Sequence, residues 1–269
     1  MPITDKYRRQ IAEALPVDYN GLEFHPLTVR DYETYLLGKK PFELMLSSLG
    51  DPKLARLSWC ACLAAIDLRF QQQTEQMGLY LVSVMRVMDA ALRLGVADGS
   101  GSGDIVPCFT KDGQLTAISI QETGQTPIFL NMQQMDDVRQ IIAAQNGYKI
   151  PDENWNPELV KAAQMNAEDS GKGIEYDRDT LICSVAAQYR CRPKEIYDWT
   201  IKEFMDVQEA IDRAMGYQIY TLAETAGWVT FKNGNPYPTW KFNRTADMPM
   251  GFRTIADIEA GANGLIAGT

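Results

Sequence analysis

The stretch KLARLSWCACLAAIDLRF, residues 53–70, carries apolar side chains at more than half of its positions. Apolar residues this dense are typical of a helix that is buried on most of its sides. We therefore expect an interior helix here, which places the N-terminal part of the chain in a helical class. The apolar positions of the segment include Leu54, Leu57, Trp59, Ala61, Leu63, Ala64, Ile66 and Leu68.

Helical patterns continue on both sides of this segment. Thr4 is placed to cap a first helix, and Thr28 followed by Asp31 at the third helical position predicts a second helix start. A third, amphipathic helix is expected over 79–94. Residues 1–96 are therefore predicted to form an N-terminal helical domain.

The composition changes after this domain. Residues 95–104, GVADGSGSGD, have the glycine and serine content of a flexible linker and lack the Gly-Lys-Ser/Thr ending of a phosphate-binding loop, so we place a linker at 97–104. Apolar residues then alternate with period two in DIVPCFT, QLTAISIQ and TPIFLN, which predicts three antiparallel strands. Asn131 is expected to cap a helix that Gly147 ends, and residues 105–170 are predicted to be a small β-sheet plus helices.

The C-terminal part, residues 174–252, has the pattern of a second helical bundle, with helices expected at 179–189, 193–199 and from 201 to about 226. Residues 253–269 are expected to be a tail. The predicted fold class is α+β and predominantly α-helical, with two helical bundles and a small antiparallel β-sheet between them. An aromatic segment is expected to cap the second bundle, with an exposed binding surface as the alternative; its rings are Trp228, Phe231, Tyr237, Trp240 and Phe242.

Charge restricts the partners that we expect. The chain of 269 residues has a formal net charge of −9 and an isoelectric point near 4.8, which repels nucleic-acid phosphates unless basic residues gather on one face. No apolar run approaches the roughly 20 residues that span a bilayer, and the N-terminus is charged throughout. We expect a soluble cytoplasmic protein with no membrane partner, and nucleic acid is not an expected partner.

No residue pattern points to an enzyme or to a cofactor. The single histidine, His25, has no nucleophile motif to work with, and the pair Cys60 and Cys62 lacks the spacer of a zinc knuckle. We expect no catalytic, cofactor-binding or metal-binding residues. The cysteines lie among apolar residues and are expected to be buried free thiols; they are Cys60, Cys62, Cys108, Cys183 and Cys191.

The stretch RPKEIYDWTIKEF, residues 192–204, is similar to the second half of a helix-turn-helix. Between residues 176 and 213 there are six basic and eight acidic side chains, which disfavours contact with DNA. The alternative is a structural role, in which Pro193 starts a helix and apolar side chains form the inner face of a helical hairpin. Those side chains are Ile196, Trp199, Thr200 and Phe204.

Several segments resemble tail-region proteins of bacteriophages and prophages, some of which are described as tail assembly chaperones. The segments are IIAAQNGYKIPDENWNPELVKAA (141–163), EIYDWTIKEFMDVQEAIDRAMGYQIYTLAETAGWVTFKNGNPYPTW (195–240) and, more weakly, FHPLTVRDYETYL (24–36). The resemblance covers the C-terminal half well and the N-terminal third loosely. It implies a role in phage tail morphogenesis, without enzymatic activity.

The sequence is therefore consistent with three functions. The first is a tail assembly chaperone that binds the tape-measure protein or another tail protein in the host cytoplasm, and the second is a structural component of the assembled tail or baseplate, located in the virion. The third is a helix-turn-helix DNA-binding protein. The expected partners are tape-measure, tail tube or baseplate subunits, and further copies of the chain. The candidate partner-binding residues are Trp199, Phe204, Trp228, Phe231, Tyr237 and Trp240.

Overall fold

The computed structural model describes residues 3–74, 78–96, 99, 101, 103–153, 158, 177–228, 230, 231, 235 and 239. The chain divides into two compact units, of which the first contains Met1–Asn154 and Asp177–Val207 and the second contains Trp155–Tyr176 and Gln208–Thr269. The fold class is α+β and mostly helical, with a small antiparallel sheet, so the predicted class is confirmed.

The first unit begins with two short helices, α1 (Ile3–Lys6) and α2 (Arg8–Ala12), where one longer helix was expected. A hairpin of β1 (Val17–Tyr19) and β2 (Leu22–Phe24), which the sequence analysis missed, follows. The hairpin turns at Asn20-Gly21, where both residues have positive φ angles. Asn-Gly is a strong hairpin signal, and each strand buries its two outer residues while exposing the middle one.

Three helices come next: α3 (Tyr32–Phe42), α4 (Trp59–Thr74) and α5 (Tyr80–Leu92). The expected cap at Thr28 is present, because its hydroxyl donates to Asp31 Oδ2 over 2.9 Å and its backbone N–H donates to the same oxygen over 3.0 Å. The cap opens a single 3-10 turn that leads into α3. At Gly38 on α3, a Cβ atom would lie 2.6 Å from Val87 Cγ2 of α5, so the close packing of these helices requires glycine.

The helix expected over residues 53–70 differs from the prediction in its start and in its burial. It begins at Trp59, and a turn before it already places Leu54 in the core. Its first five residues are buried, whereas Leu68 and Phe70 are exposed. Apolar density alone gave the wrong burial because it does not distinguish a core helix from a turn plus a helix with an open end.

The three predicted strands are confirmed as β3 (Gly103–Phe109), β4 (Leu115–Glu122) and β5 (Ile128–Asn131). They form an antiparallel sheet in the order β3-β4-β5, with the residue pairs Ile118↔Leu130 and Ile120↔Ile128. The central strand alternates in burial, because its isoleucines face the core and the residues between them face outward.

The helix predicted after the sheet is α6 (Met132–Asn146). Its capping box is complete, since the Gln134 backbone N–H donates to Asn131 Oδ1 and the Asn131 N–H donates to Gln134 Oε1, both over 2.9 Å. Gly147 ends the helix as predicted.

Leu94 and Leu115, from the two sides of residues 97–104, share one hydrophobic core, whereas a linker between separate domains was predicted there.

The last described helices are α7 (Arg178–Tyr189), α8 (Pro193–Ile196) and α9 (Ile201–Thr225), close to their predicted positions. The predicted tail, all but residue 158 of the predicted helix after Pro157, and half of the predicted linker lie outside the described residues. Within the described part of the chain, no helix has the length and apolar character needed to cross a bilayer.

Arg139 on α6 is a buried cation that joins separate parts of the first unit. Its Nη2 donates to the Phe42 carbonyl over 2.6 Å and to the Leu44 carbonyl over 3.0 Å, while Nε also donates to Phe42 O over 3.1 Å. The guanidinium lies 4.9 Å from the ring centre of Trp59 on α4. Burial lowers the pKa of Arg139 to about 10, which still leaves the side chain charged at neutral pH.

Replacing Arg139 by Met tests the contribution of these hydrogen bonds to stability. The variant keeps an apolar stem but leaves the buried Phe42 carbonyl without its side-chain donor, so we expect the free energy of unfolding to fall by about 3 kcal/mol. Urea denaturation followed by circular dichroism measures the difference. The exposed Arg9, changed to Met in the same way, is the control, and a loss of equal size in both variants would contradict the assignment.

The cysteines differ in their exposure. Cys60 and Cys62 are buried, as expected, and Cys108 and Cys191 are partly buried, whereas Cys183 is exposed on α7, so the expectation of a buried thiol is wrong at that position. Few of the residues on α7 are buried, because the helix packs through a narrow set that includes Ile182 and Val185. Burial raises the pKa of the Cys60 thiol to about 12, which keeps it protonated and unreactive at neutral and mildly basic pH.

Thiol labelling at pH 8 follows from these environments. In the native protein, Ellman's reagent should modify Cys183 first and should leave Cys60 unmodified until denaturant is added. Peptide mass spectrometry after timed quenching identifies the sites, and the variant Cys183→Ser should lose the fastest phase. Rapid modification of Cys60 in the native protein would contradict its assignment as a buried thiol.

Candidate functional site

Residues 192–204, the helix-turn-helix-like segment, attach to the N-terminal part of the first unit through the backbone. The Val29 N–H donates to the Trp199 carbonyl over 2.9 Å, and the Ile201 N–H donates to the Leu27 carbonyl over 2.9 Å. An isolated antiparallel bridge joins Thr28 to Thr200. These bonds fix the start of α9 against the residues that lead into α3.

Two of the candidate partner-binding residues lie in this segment. Trp199 is half-buried and meets the ring of Tyr189 edge-on, with the ring centres 5.2 Å apart. Phe204 is 1% exposed, and Ile196 and Ile201 are also buried. Phe204 therefore has no surface to offer a partner, and its burial agrees with the inner face of a helical hairpin.

Several cations near this segment are engaged by carboxylates. Arg30 Nη2 lies 2.7 Å from Asp198 Oδ1, and Arg178 Nε lies 3.3 Å from Asp179 Oδ1. Both guanidinium groups also lie within 6 Å of the ring centre of Tyr197. These contacts reduce the positive charge that the segment could present to a phosphate backbone.

Helix α9 has one apolar face with two environments. At its N-terminal end, this face is formed by the buried Ile201 and Phe204. The same face continues as Met215, Ile219 and Leu222, at spacings of four and three residues, and these side chains are exposed, Ile219 by 61% and Leu222 by 63%. We call Met215, Ile219 and Leu222 the α9 stripe.

The described residues downstream of α9 contact its opposite face. Arg213 Nε donates to the Thr239 carbonyl over 3.2 Å, and Asn235 Nδ2 donates to Glu224 Oε2 over 3.4 Å. The ring centre of Tyr220 lies 5.5 Å from that of Phe231. Positions 213, 220 and 224 lie on one side of the helix, away from the α9 stripe, so these contacts leave the stripe uncovered.

The remaining aromatic candidates differ in their exposure and in whether the structure describes them. Trp228, just after α9, is 78% exposed, whereas Phe231 is half-buried against Tyr220. Tyr237 and Trp240 lie outside the described residues. The aromatic cap therefore stays a prediction, and Trp228 is the large aromatic surface that the structure adds to the neighbourhood of the α9 stripe.

A second surface lies in the first unit. An open cavity of about 380 Å³, which we call the α3–α5 groove, lies between α3, α4 and α5. Exposed apolar side chains from three elements line it, namely Leu37 of α3, Phe70 of α4 and Leu79 in the turn before α5. This groove was not predicted from the sequence, because a helical period shows which residues are apolar but not which of them stay exposed.

Two charged groups line the groove, and they differ in their partners. Asp67 on α4 accepts hydrogen bonds from the backbone N–H groups of Tyr80 and Leu81, over 3.1 and 2.8 Å, at the start of α5. Lys40 on α3 is exposed, and its Nζ lies 5.4 Å from the ring centre of Tyr80. No ion pair between Lys40 and a carboxylate is found among the described residues.

The described side chains do not form a metal site, since no group of three or more His, Cys, Asp or Glu residues among them is placed to hold an ion. The partly buried His25 has its pKa lowered by burial and by the nearby Arg93, so it is neutral at pH 7.

Comparison with known proteins gives no match. No protein-family model matches the chain, and no curated protein and no solved structure matches it. The surfaces described above and the resemblance in sequence are therefore what indicates a function.

The two environments of the α9 face can be separated by a pair of substitutions. Phe204→Ala removes a fully buried ring and should lower the free energy of unfolding by about 4 kcal/mol. Ile219→Ala removes an exposed side chain and should change it by less than about 0.5 kcal/mol. Parallel urea titrations measure both values. A large loss for Ile219→Ala would mean that the stripe is covered within the chain.

Proposed function

We propose that the protein is a non-enzymatic tail assembly chaperone of a bacteriophage or prophage, which binds a helix-prone tail protein such as the tape-measure protein. The observation that carries the proposal is the α9 stripe, an exposed apolar continuation of a face that is buried at the other end of the same helix. The resemblance of residues 195–240 to phage tail-region proteins supplies the biological setting.

The spacing of the stripe suits a helical partner. Side chains at i, i+4 and i+7 form a ridge that a second amphipathic helix can pack against, as in helix–helix recognition generally. A helix also satisfies its own backbone hydrogen bonds, so it can cover an apolar stripe without leaving unpaired polar groups. Trp228, close to the C-terminal end of the stripe, adds a large aromatic contact of the kind that often dominates binding energy.

The expected strength of the contact suits a chaperone, which has to release its client. Met215, Ile219 and Leu222 are each about half to two-thirds exposed, so covering them contributes roughly 3–5 kcal/mol. Association costs at least about 4 kcal/mol in lost freedom of motion, so the stripe needs Trp228 or further contacts to hold a client at all. The net charge of −9 keeps a protein with exposed apolar surface soluble in the host cytoplasm.

A structural component of the assembled tail or baseplate is the second candidate function. The observation that favours it is the outer face of the sheet, where Val106 and Phe129 are exposed in one row on either side of Ser119. An apolar sheet face suits a permanent contact with a neighbouring subunit, including another copy of the chain. The DNA-binding alternative has less support, because Arg30 and Arg178 are paired with carboxylates.

Co-expression with the tail proteins encoded beside the gene tests the first proposal. The tagged chain should co-purify with the tape-measure protein, and the double variant Ile219→Ser/Leu222→Ser should reduce the recovered client at least tenfold, because it removes most of the apolar stripe. Leu68→Ser, at another exposed leucine on α4, is the matched control. If no tail protein co-purifies with the wild-type chain, the proposal fails.

Mass spectrometry of purified phage particles separates the two candidate functions. A chaperone leaves the assembly, so its peptides should be missing from particles and present in lysates of infected cells. Stoichiometric peptides in the particle would instead establish the structural role in the virion tail.

A further inference from the structure

We propose that the α3–α5 groove is a second protein-binding site, which takes an amphipathic helix of a partner protein carrying a carboxylate next to its apolar side chains. The site lies in the first unit and is distinct from the α9 stripe. Three properties of the groove support the proposal. They are its exposed apolar side chains, the helices that bound it, and its two charged groups, of which one is compensated by hydrogen bonds within the chain and the other is not.

The apolar wall of the groove comes from three separate elements. Leu79 is 65% exposed, and Leu37 and Phe70 are also exposed, although all three converge on one cavity. The volume of about 380 Å³ lies near the lower end of the range for binding pockets. A cavity of this size accepts a few large apolar side chains presented together.

The walls determine the conformation of the occupant. The groove is bounded by helices, whose backbone groups are paired internally, so it offers no sheet edge to which an extended peptide could hydrogen-bond. An extended segment would leave its own backbone groups unpaired against the apolar wall. A helix has no such cost and presents anchors at i, i+3 or i+4 and i+7.

The charges of the groove determine which charge the occupant should carry. The carboxylate of Asp67 is already bound by two backbone N–H groups at the positive end of α5, so its charge is compensated within the chain. Lys40 has an aromatic neighbour but no carboxylate partner among the described residues. The groove therefore favours a partner carboxylate beside Lys40, even though the chain as a whole is acidic, since screening limits distant charges to a range of about 8 Å at physiological salt.

The groove is also pre-formed. The turn before α5 lies so close to α4 that a Cβ atom on Gly78 would collide with both the side chain and the backbone of Asp67. This contact, together with the hydrogen bonds from Tyr80 and Leu81, fixes the position of Leu79 at the edge of the groove. A pre-formed site loses less freedom on binding than a mobile one.

Two stapled helical peptides of 16 residues provide the probe. Both carry leucine at four positions of one face in an alanine background, and they differ in having three glutamates or three lysines beside that face. Fluorescence anisotropy with the full chain should show that the glutamate peptide binds up to about fivefold more tightly than the lysine peptide, as expected for one surface ion pair. Lys40→Glu should reverse this preference.

The apolar anchors are tested with Leu79→Ser and Phe70→Ser, each of which should weaken the glutamate peptide at least tenfold. Both side chains are exposed, so circular dichroism and thermal melting should be unchanged. Leu68→Ser, at an exposed leucine of α4 that does not line the groove, is the matched control and should leave peptide affinity unchanged.

Three results would overturn the proposal. One is the lack of measurable binding of the glutamate peptide to the wild-type chain at millimolar concentration, and another is an equal loss of affinity in Leu68→Ser and Leu79→Ser. The third is self-association in analytical ultracentrifugation that Leu79→Ser abolishes, because a second copy of the chain would then be the occupant. The peptide assay does not use the tape-measure protein, so the proposed chaperone function can fail while this inference holds.

Discussion

The fold of the first unit depends on one buried cation, Arg139, whose hydrogen bonds go to backbone carbonyl groups and not to a carboxylate. Its guanidinium binds the carbonyls of Phe42 and Leu44 and stacks near Trp59, so one side chain of α6 holds the end of α3 and the start of α4. A buried charge is costly unless it is hydrogen-bonded, and the planar fork of arginine suits two carbonyls that lie close together. The arrangement favours one packing of the three helices over alternatives of similar hydrophobicity.

Local chemistry made the elements of this fold predictable, whereas their environments were not. The capping boxes at Thr28 and Asn131, the period-two strands and the long helix over 201–225 are visible in the sequence because they depend on neighbouring residues. The hairpin at Asn20-Gly21 carried a readable signal as well, but its strands of three residues are too short for periodicity to identify. The role of Arg139 was not predictable, since it depends on residues about 95 positions away.

The candidate surfaces show the same limit more sharply. Phe204 and Ile219 lie on one face of α9 and have the same apolar character in sequence, yet one is in the interior and the other is exposed. Amphipathic periodicity identifies such a face but does not indicate where along the helix the covering elements stop. Likewise, Leu37, Phe70 and Leu79 belong to three separate patterns and form a groove only when the helices are packed. For this reason, sequence reasoning proposed aromatic residues as partner-binding sites and passed over aliphatic ones.

The absence of a side chain at Gly38 couples the interior of the first unit to its outer surface. The residue allows α3 to lie against Val87 of α5 and close to the hydroxyl of Tyr148, and the same two helices both contribute residues to the lining of the groove. Any larger residue at position 38 would push these helices apart while loosening the core behind them. The packing of the core therefore sets the width of the groove. Substitutions in the interior would change which partners the surface can bind, even if the residues that line the groove stay the same.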